Sequence, residues 1–93
     1  METKEVALKI TTLKGAELYI GKMNKGFINV FCNFNPIRKI RLMQRFNQSI
    51  NYSVISIMDY QNGTGGMAIK VNSNVDYSSV VNELETIFKT EIE

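Results

Sequence analysis

Phe27-Ile28-Asn29-Val30-Phe31-Cys32-Asn33-Phe34-Asn35-Pro36-Ile37 is the stretch on which the fold turns. Its first eight residues alternate. Ile28, Val30, Cys32 and Phe34 point one way and Phe27, Asn29, Phe31 and Asn33 the other, the two-residue period of a strand. At Asn35 the period changes. Asn35 is suited to cap a helix, and Pro36 to be its first residue, where a missing N–H costs nothing. From Ile37 the apolar residues Ile40, Met43, Phe46 and Ile50 recur at helical spacing, and Leu42 widens the stripe. This predicts a helix ending near Gln48–Ser49, with an apolar arc wider than one sheet face requires.

Upstream lie two more alternating segments. Glu5 to Thr12 sets Val6, Leu8 and Ile10 against Ala7, Lys9 and Thr11; Glu17 to Met23 sets Leu18 and Ile20 against Tyr19 and Gly21. Turns at Lys14-Gly15-Ala16 and Asn24-Lys25-Gly26 join them into a meander. Downstream, Asn51 to Tyr60 reads as a strand with Val54 and Met58 on one face, Ile55 and Ile57 on the other, and Tyr52 and Tyr60 sharing a side. Apolar residues on both faces predict a strand in the sheet interior. Gln61 to Gly66 reads as a flexible hairpin loop and Met67 to Asn72 as the returning strand. Tyr77, Val80, Val81, Leu84, Ile87 and Phe88 then form one face of a final helix, capped by Asn74 or Asp76. Glu91 and Glu93 oppose its dipole, which predicts a frayed last turn. The order β-β-β-α-β-β-α implies an α+β fold, a five-stranded mainly antiparallel sheet with two helices packed on one face.

The chain has 93 residues and a mass of 10.6 kDa, which predicts a single domain over residues 1–93. It contains no His, no Trp and one Cys. A four-ligand zinc site, a Cys–His or Ser–His nucleophile pair and an internal disulfide are thereby excluded. Asp59 and Glu17 are lone carboxylates, and Cys32 lies on the inward face of its strand as a small hydrophobe. Gly63-Thr64-Gly65-Gly66 leads into a strand, whereas phosphate cradles lead into helices. No enzyme, cofactor, metal or small-molecule substrate is expected. Neither an apolar leader at Met1 to Lys9 nor a membrane-length apolar window occurs, so a cytoplasmic location is expected. Abundant Asn, Ile and Lys match the coding of an A+T-rich genome, such as that of a low-GC bacterium or its phage.

The net charge of +2 conceals an asymmetry. Residues 1–50 carry nine basic and three acidic side chains, a net of +6, while residues 51–93 carry two and six, a net of −4. No acid occurs between Glu17 and Asp59. Within that interval Arg38, Arg41 and Arg45 fall at i, i+3 and i+7 of the expected helix, with Lys39 alongside, a stripe suited to phosphates or to carboxylates on a partner. An unremarkable alternative is a solvated helix face.

Two helices can cover one side of the sheet, which leaves Tyr19, Phe27 and Phe31 on the other. Such a surface serves either as a homodimer seam or as a stacking platform for single-stranded nucleic acid. Lys25-Gly26-Phe27 resembles the opening of the first ribonucleoprotein motif of RNA-recognition sheets. Asn29 and Cys32 stand where that motif has aromatics, and no helix follows the first strand, so the chain is not assigned to that family. The expectation is a non-enzymatic binding module, a homodimer, engaging RNA or single-stranded nucleic acid through Arg38, Lys39, Arg41 and Arg45 with Lys25, Phe27 and Phe31 assisting. The alternative is a small phage or mobile-element inhibitor or adaptor that docks on a host protein.

Overall fold

The computed structural model describes residues 6–92; Glu5, the expected start of the first strand, and Glu93 lie outside them. Five strands form an antiparallel sheet: β1 (Val6–Thr11), β2 (Glu17–Gly21), β3 (Phe27–Cys32), β4 (Tyr52–Asp59) and β5 (Gly65–Val71), in the spatial order β1-β2-β3-β5-β4. Two α-helices, α1 (Ile40–Phe46) and α2 (Tyr77–Ile92), pack on one face. This is the α+β arrangement and element order that the periodicities imply. Ile28, Val30 and Cys32 of β3 are buried beneath the helices together with Leu18, Ile20, Met67 and Ile69. Leu42, Met43 and Phe46 of α1 and Val80, Leu84 and Phe88 of α2 close the core. The Phe34 and Phe88 rings stack with centroids 5.7 Å apart. No helix among the described residues is long and apolar enough to cross a membrane.

The β2–β3 hairpin turns on two residues with positive φ, Lys25 at 55° and Gly26 at 83°. Asn24 and Phe27 exchange backbone hydrogen bonds across them at 2.8 and 3.0 Å. This is the tight turn whose twist matches the flanking strands. Asn24, the residue type of the expected turn best suited to positive φ beside Gly26, instead stands before the turn. In α2, Asp76 is the cap: its Oδ1 accepts from the Ser79 N–H at 2.9 Å, which holds its carboxyl below the ordinary range. Burial drives the Cys32 thiol up to about 12, as befits a packing residue.

Several expectations are corrected. The expected first helix is broken: Pro36–Arg38 forms a 3₁₀ turn, capped by Asn35, and Lys39 (φ −102°, ψ 63°) separates it from α1. In an unbroken helix Ile40 would lie beside Met43 on the buried side. Here Ile40 is instead the first residue of α1 and 65% exposed, so α1 presents only Leu42, Met43 and Phe46 to the core. Strand β4 is an edge strand, not an interior one. Its register shifts between Val54 and Ser56, so Ile55 bulges and the parity of every later residue inverts. Val54 and Ile57 therefore lie opposite Ile69 and Met67, while Met58 crosses to the open face opposite Gly66. The same inversion separates buried Tyr52 from exposed Tyr60.

Gly65 and Gly66 belong to β5 rather than to a flexible loop, and a side chain at either would be crowded. A Cβ on Gly65 would overlap the Pro36 ring, and one on Gly66 would sit 3.2 Å from the Val30 carbonyl oxygen. Finally, α2 stays helical to Ile92. Arg41 and Arg45 reach Glu91 and offset the charge that opposes the dipole there.

Candidate nucleic-acid interface

The face of the sheet opposite the helices carries a row of side chains that crosses all five strands. Lys9 on β1 pairs with Tyr19 on β2, Tyr19 with Phe31 on β3, Phe31 with Gly66 on β5, and Gly66 with Met58 on β4. At ~4.8 Å between strands the row is about 19 Å long. Gly66 does not interrupt it. A Cβ placed there would lie 3.4 Å from both Phe31 Cδ1 and Met58 Cε, so these two side chains already close over the glycine from either side. The Tyr60 hydroxyl donates to Met58 Sδ at 3.4 Å and continues the row beyond the edge strand.

Charge is concentrated at the β1 end. Lys9 Nζ lies 5.9 Å from the Tyr19 ring centroid and 3.5 Å from Glu17. The Tyr19 hydroxyl donates to Glu17 Oε1, which pushes the tyrosine up and the carboxyl down from their ordinary values. A second row, Phe27–Lys70–Ser53, runs parallel to the first, roughly 13 Å away along β3. Between the two rows lies a third, Asn29–Ala68–Ser56, with a polar side chain at each end. Phe27 is 42% exposed, Tyr19 and Phe31 are half-buried, and Lys70 makes no ion pair among the described residues. Lys25 sits at the hairpin tip two residues before Phe27. Aromatic faces, three lysines and one amide on a sheet face that no helix among the described residues covers can stack bases, neutralise phosphates and contact base edges.

The seven residues singled out from sequence do not form one site. Phe27 and Phe31 share the open face, with Lys25 at its margin. Arg41 and Arg45 lie in the helical layer on the other side, where both reach one carboxylate: Arg41 Nε is 3.1 Å from Glu91 Oε1, and Arg45 Nε is 3.8 Å from Oε2. The stripe is thus partly neutralised by an acid that lies 46 positions from Arg45 in the chain. Lys39 occupies the break between the 3₁₀ turn and α1 and is exposed. Arg38, turned away from the other two by that break, lines a cavity of about 190 Å³ with Asn35, Asp59, Tyr60, Gln61 and Gly63.

Lys9, Lys70, Met58 and Tyr60 were not among the expected contacts. Lys9 and Lys70 were legible as the polar partners in their alternating strands. Met58 and Tyr60 were not, because apolar residues on both sides of β4 fit an interior strand as readily as a bulge at Ile55. No protein-family model, curated protein or solved structure matches this chain.

Proposed function

We propose that the chain is a non-enzymatic binding module that takes single-stranded nucleic acid, RNA foremost, on the open face of its sheet. The observation that supports this reading is the unbroken row Lys9–Tyr19–Phe31–Met58 on a face that no helix among the described residues covers. A strand laid along it would stack bases on Tyr19 and Phe31 and place phosphates near Lys9 and Lys70. Relative to the sequence expectation, the binding surface moves from the arginines of α1 to the sheet.

Fluorescence anisotropy with a labelled uridine octamer, at about 50 and 200 mM salt, tests the proposal. Each stacked base contributes ~1–3 kcal/mol, so Phe31→Ala should weaken binding by about 5- to 150-fold. Lys70→Gln should lower the salt slope by about 0.7, the share of a single neutralised phosphate on a single strand. Failure of the wild-type protein to bind at the lower salt overturns the reading.

A second reading, an inhibitor or adaptor that docks on another protein, is favoured by a different observation. Ile37, Ile40, Ile55 and Ile57 are 45%, 65%, 53% and 38% exposed, on the 3₁₀ turn, α1 and the edge strand. Isoleucines of this exposure are the raw material of a protein interface. Under this reading, Ile55→Glu abolishes capture of a stoichiometric protein partner from extract and leaves RNA affinity untouched.

A further inference from the structure

The cavity beside the 3₁₀ turn has a lining whose chemistry is unusually specific for its size. At about 190 Å³ it falls below the ~300 Å³ at which sites for drug-sized ligands begin, so it suits a single ring system. Arg38 supplies the cation, and it makes no ion pair among the described residues. Asp59 supplies the acceptor. Its Oδ1 takes a hydrogen bond from Asn35 Nδ2, and among the described residues its Oδ2 has no partner. Asn35 is itself held: it is 6% exposed, and its Oδ1 accepts from the Ile37 N–H at 2.8 Å. A buried amide therefore positions the carboxylate at the mouth. Tyr60 adds a ring, and Gly63, at φ +84°, has open space where a Cβ would stand.

A guanidinium and a carboxylate lining one hollow without bridging each other call for a ligand with an acceptor edge and a donor edge. Guanine has both: O6 and N7 accept a bidentate pair from arginine, and N1–H and N2–H₂ donate to a carboxylate. Adenine would set its N6–H₂ donor against Arg38 and offers no N1–H to Asp59. Uracil has a single donor, N3–H, flanked by the acceptors O2 and O4, and so offers neither a paired acceptor edge to Arg38 nor a paired donor edge to Asp59. We infer that this cavity is a guanine-binding site, with Arg38 and Asp59 contacting the base, Tyr60 packing against its ring and Asn35 as the positioning residue.

The site adjoins the platform. The Tyr60 hydroxyl rests on Met58 Sδ at the β4 end of the aromatic row, so a strand crossing the sheet from Lys9 would deliver one base to the cavity. In that form the inference rests on the proposed function; the guanine could equally come from a free nucleotide.

Three probes separate these possibilities: a uridine octamer, the same octamer with one uridine replaced by guanosine or by adenosine, and guanosine 5′-monophosphate alone. The guanosine-substituted octamer should bind at least tenfold tighter than the all-uridine and adenosine-substituted ones, and should shift the amide resonances of Gln61 and Gly63. Arg38→Gln and Asp59→Asn should each erase that preference while leaving all-uridine affinity unchanged. Both positions are exposed, and Asn at 59 keeps an acceptor for Asn35, so folding is spared. If the three octamers bind equally and the monophosphate leaves the Gln61 and Gly63 amides unmoved, the guanine site is refuted while the sheet platform stands. If no octamer binds but the monophosphate shifts the same amides, the guanine site stands for a free nucleotide and the platform is refuted. If neither the monophosphate nor the guanosine octamer shifts them, the cavity is not a base site.

Discussion

Replacing Glu91 with Gln removes the carboxylate that both Arg41 and Arg45 reach, and its effect can be estimated from the geometry. Arg41 Nε lies 3.1 Å from the carboxylate and Arg45 Nε 3.8 Å, with side-chain exposures of 87% and 51% against 10% for Glu91. Guanidiniums that exposed are screened by solvent, so the two ion pairs together contribute about 1–1.5 kcal/mol. A carboxylate in the last turn of α2 opposes the helix dipole by ~0.5 kcal/mol, which the substitution would relieve. The net loss is about 0.5–1 kcal/mol, or ~2–8 °C in Tm for a chain of this length. Calorimetry of Glu91→Gln, Arg41→Gln and the double variant measures the coupling directly, and an unchanged or raised Tm in Glu91→Gln refutes the bridge. The same variant discriminates between surfaces. It adds a unit of positive charge to the helical layer, across a molecule whose shortest extent is 22 Å, about two to three Debye lengths at physiological salt. If nucleic acid binds the sheet, affinity for the uridine octamer moves less than twofold. A tightening of fivefold or more would place the strand on the arginines of α1 and refute the assignment to the open face.

Lys25→Asn should raise stability by about 0.5–1 kcal/mol, because Lys25 holds φ at 55° in a turn whose preferred sequence is Asn-Gly; a lower Tm would mean that the lysine side chain is itself anchored. Tyr52→Phe should be neutral or stabilising by ~1 kcal/mol. The Tyr52 hydroxyl is buried with no hydrogen-bond partner among the described residues, and burial, with the Glu83 charge adding to it, pushes its pKa well up. A loss above ~1 kcal/mol would reveal a bound water or an unseen acceptor. Gly65→Ala should destabilise by ~1–3 kcal/mol, since its Cβ would overlap the Pro36 ring and lie 2.9 Å from the Met58 carbonyl oxygen. Urea denaturation reads this, and an unchanged midpoint would show that the 3₁₀ turn moves aside freely.

The elements that sequence located best are those whose neighbours merely reinforce a local pattern. Alternation in β3 and the helical face of α2 survive folding intact, because one face of each is buried and the other is not. Sequence failed where an interaction distant in the chain overrides the local rule. The first helix breaks at Lys39, where Pro36 is held against Gly65 and Leu42, Met43 and Phe46 must face the core. The apolar character of both faces of β4 records a bulge at Ile55 and an exposed edge rather than a central position. The arginine stripe loses Arg38 to the break, and its other two members to Glu91.

What the amino-acid order determined by itself is the class of the fold, the order of its elements, the face of β3 that enters the core, and the lack of any His-based or multi-Cys chemistry. These follow from period, caps and composition, which are properties of neighbouring residues. Only the tertiary structure decided that β4 lies at an edge, that Met58 joins the aromatic row, that Arg41 and Arg45 share one carboxylate, and that Arg38 meets Asp59 around a cavity. Each of these depends on residues brought together across the sheet or between the helices, and the local sequence carries no record of that pairing.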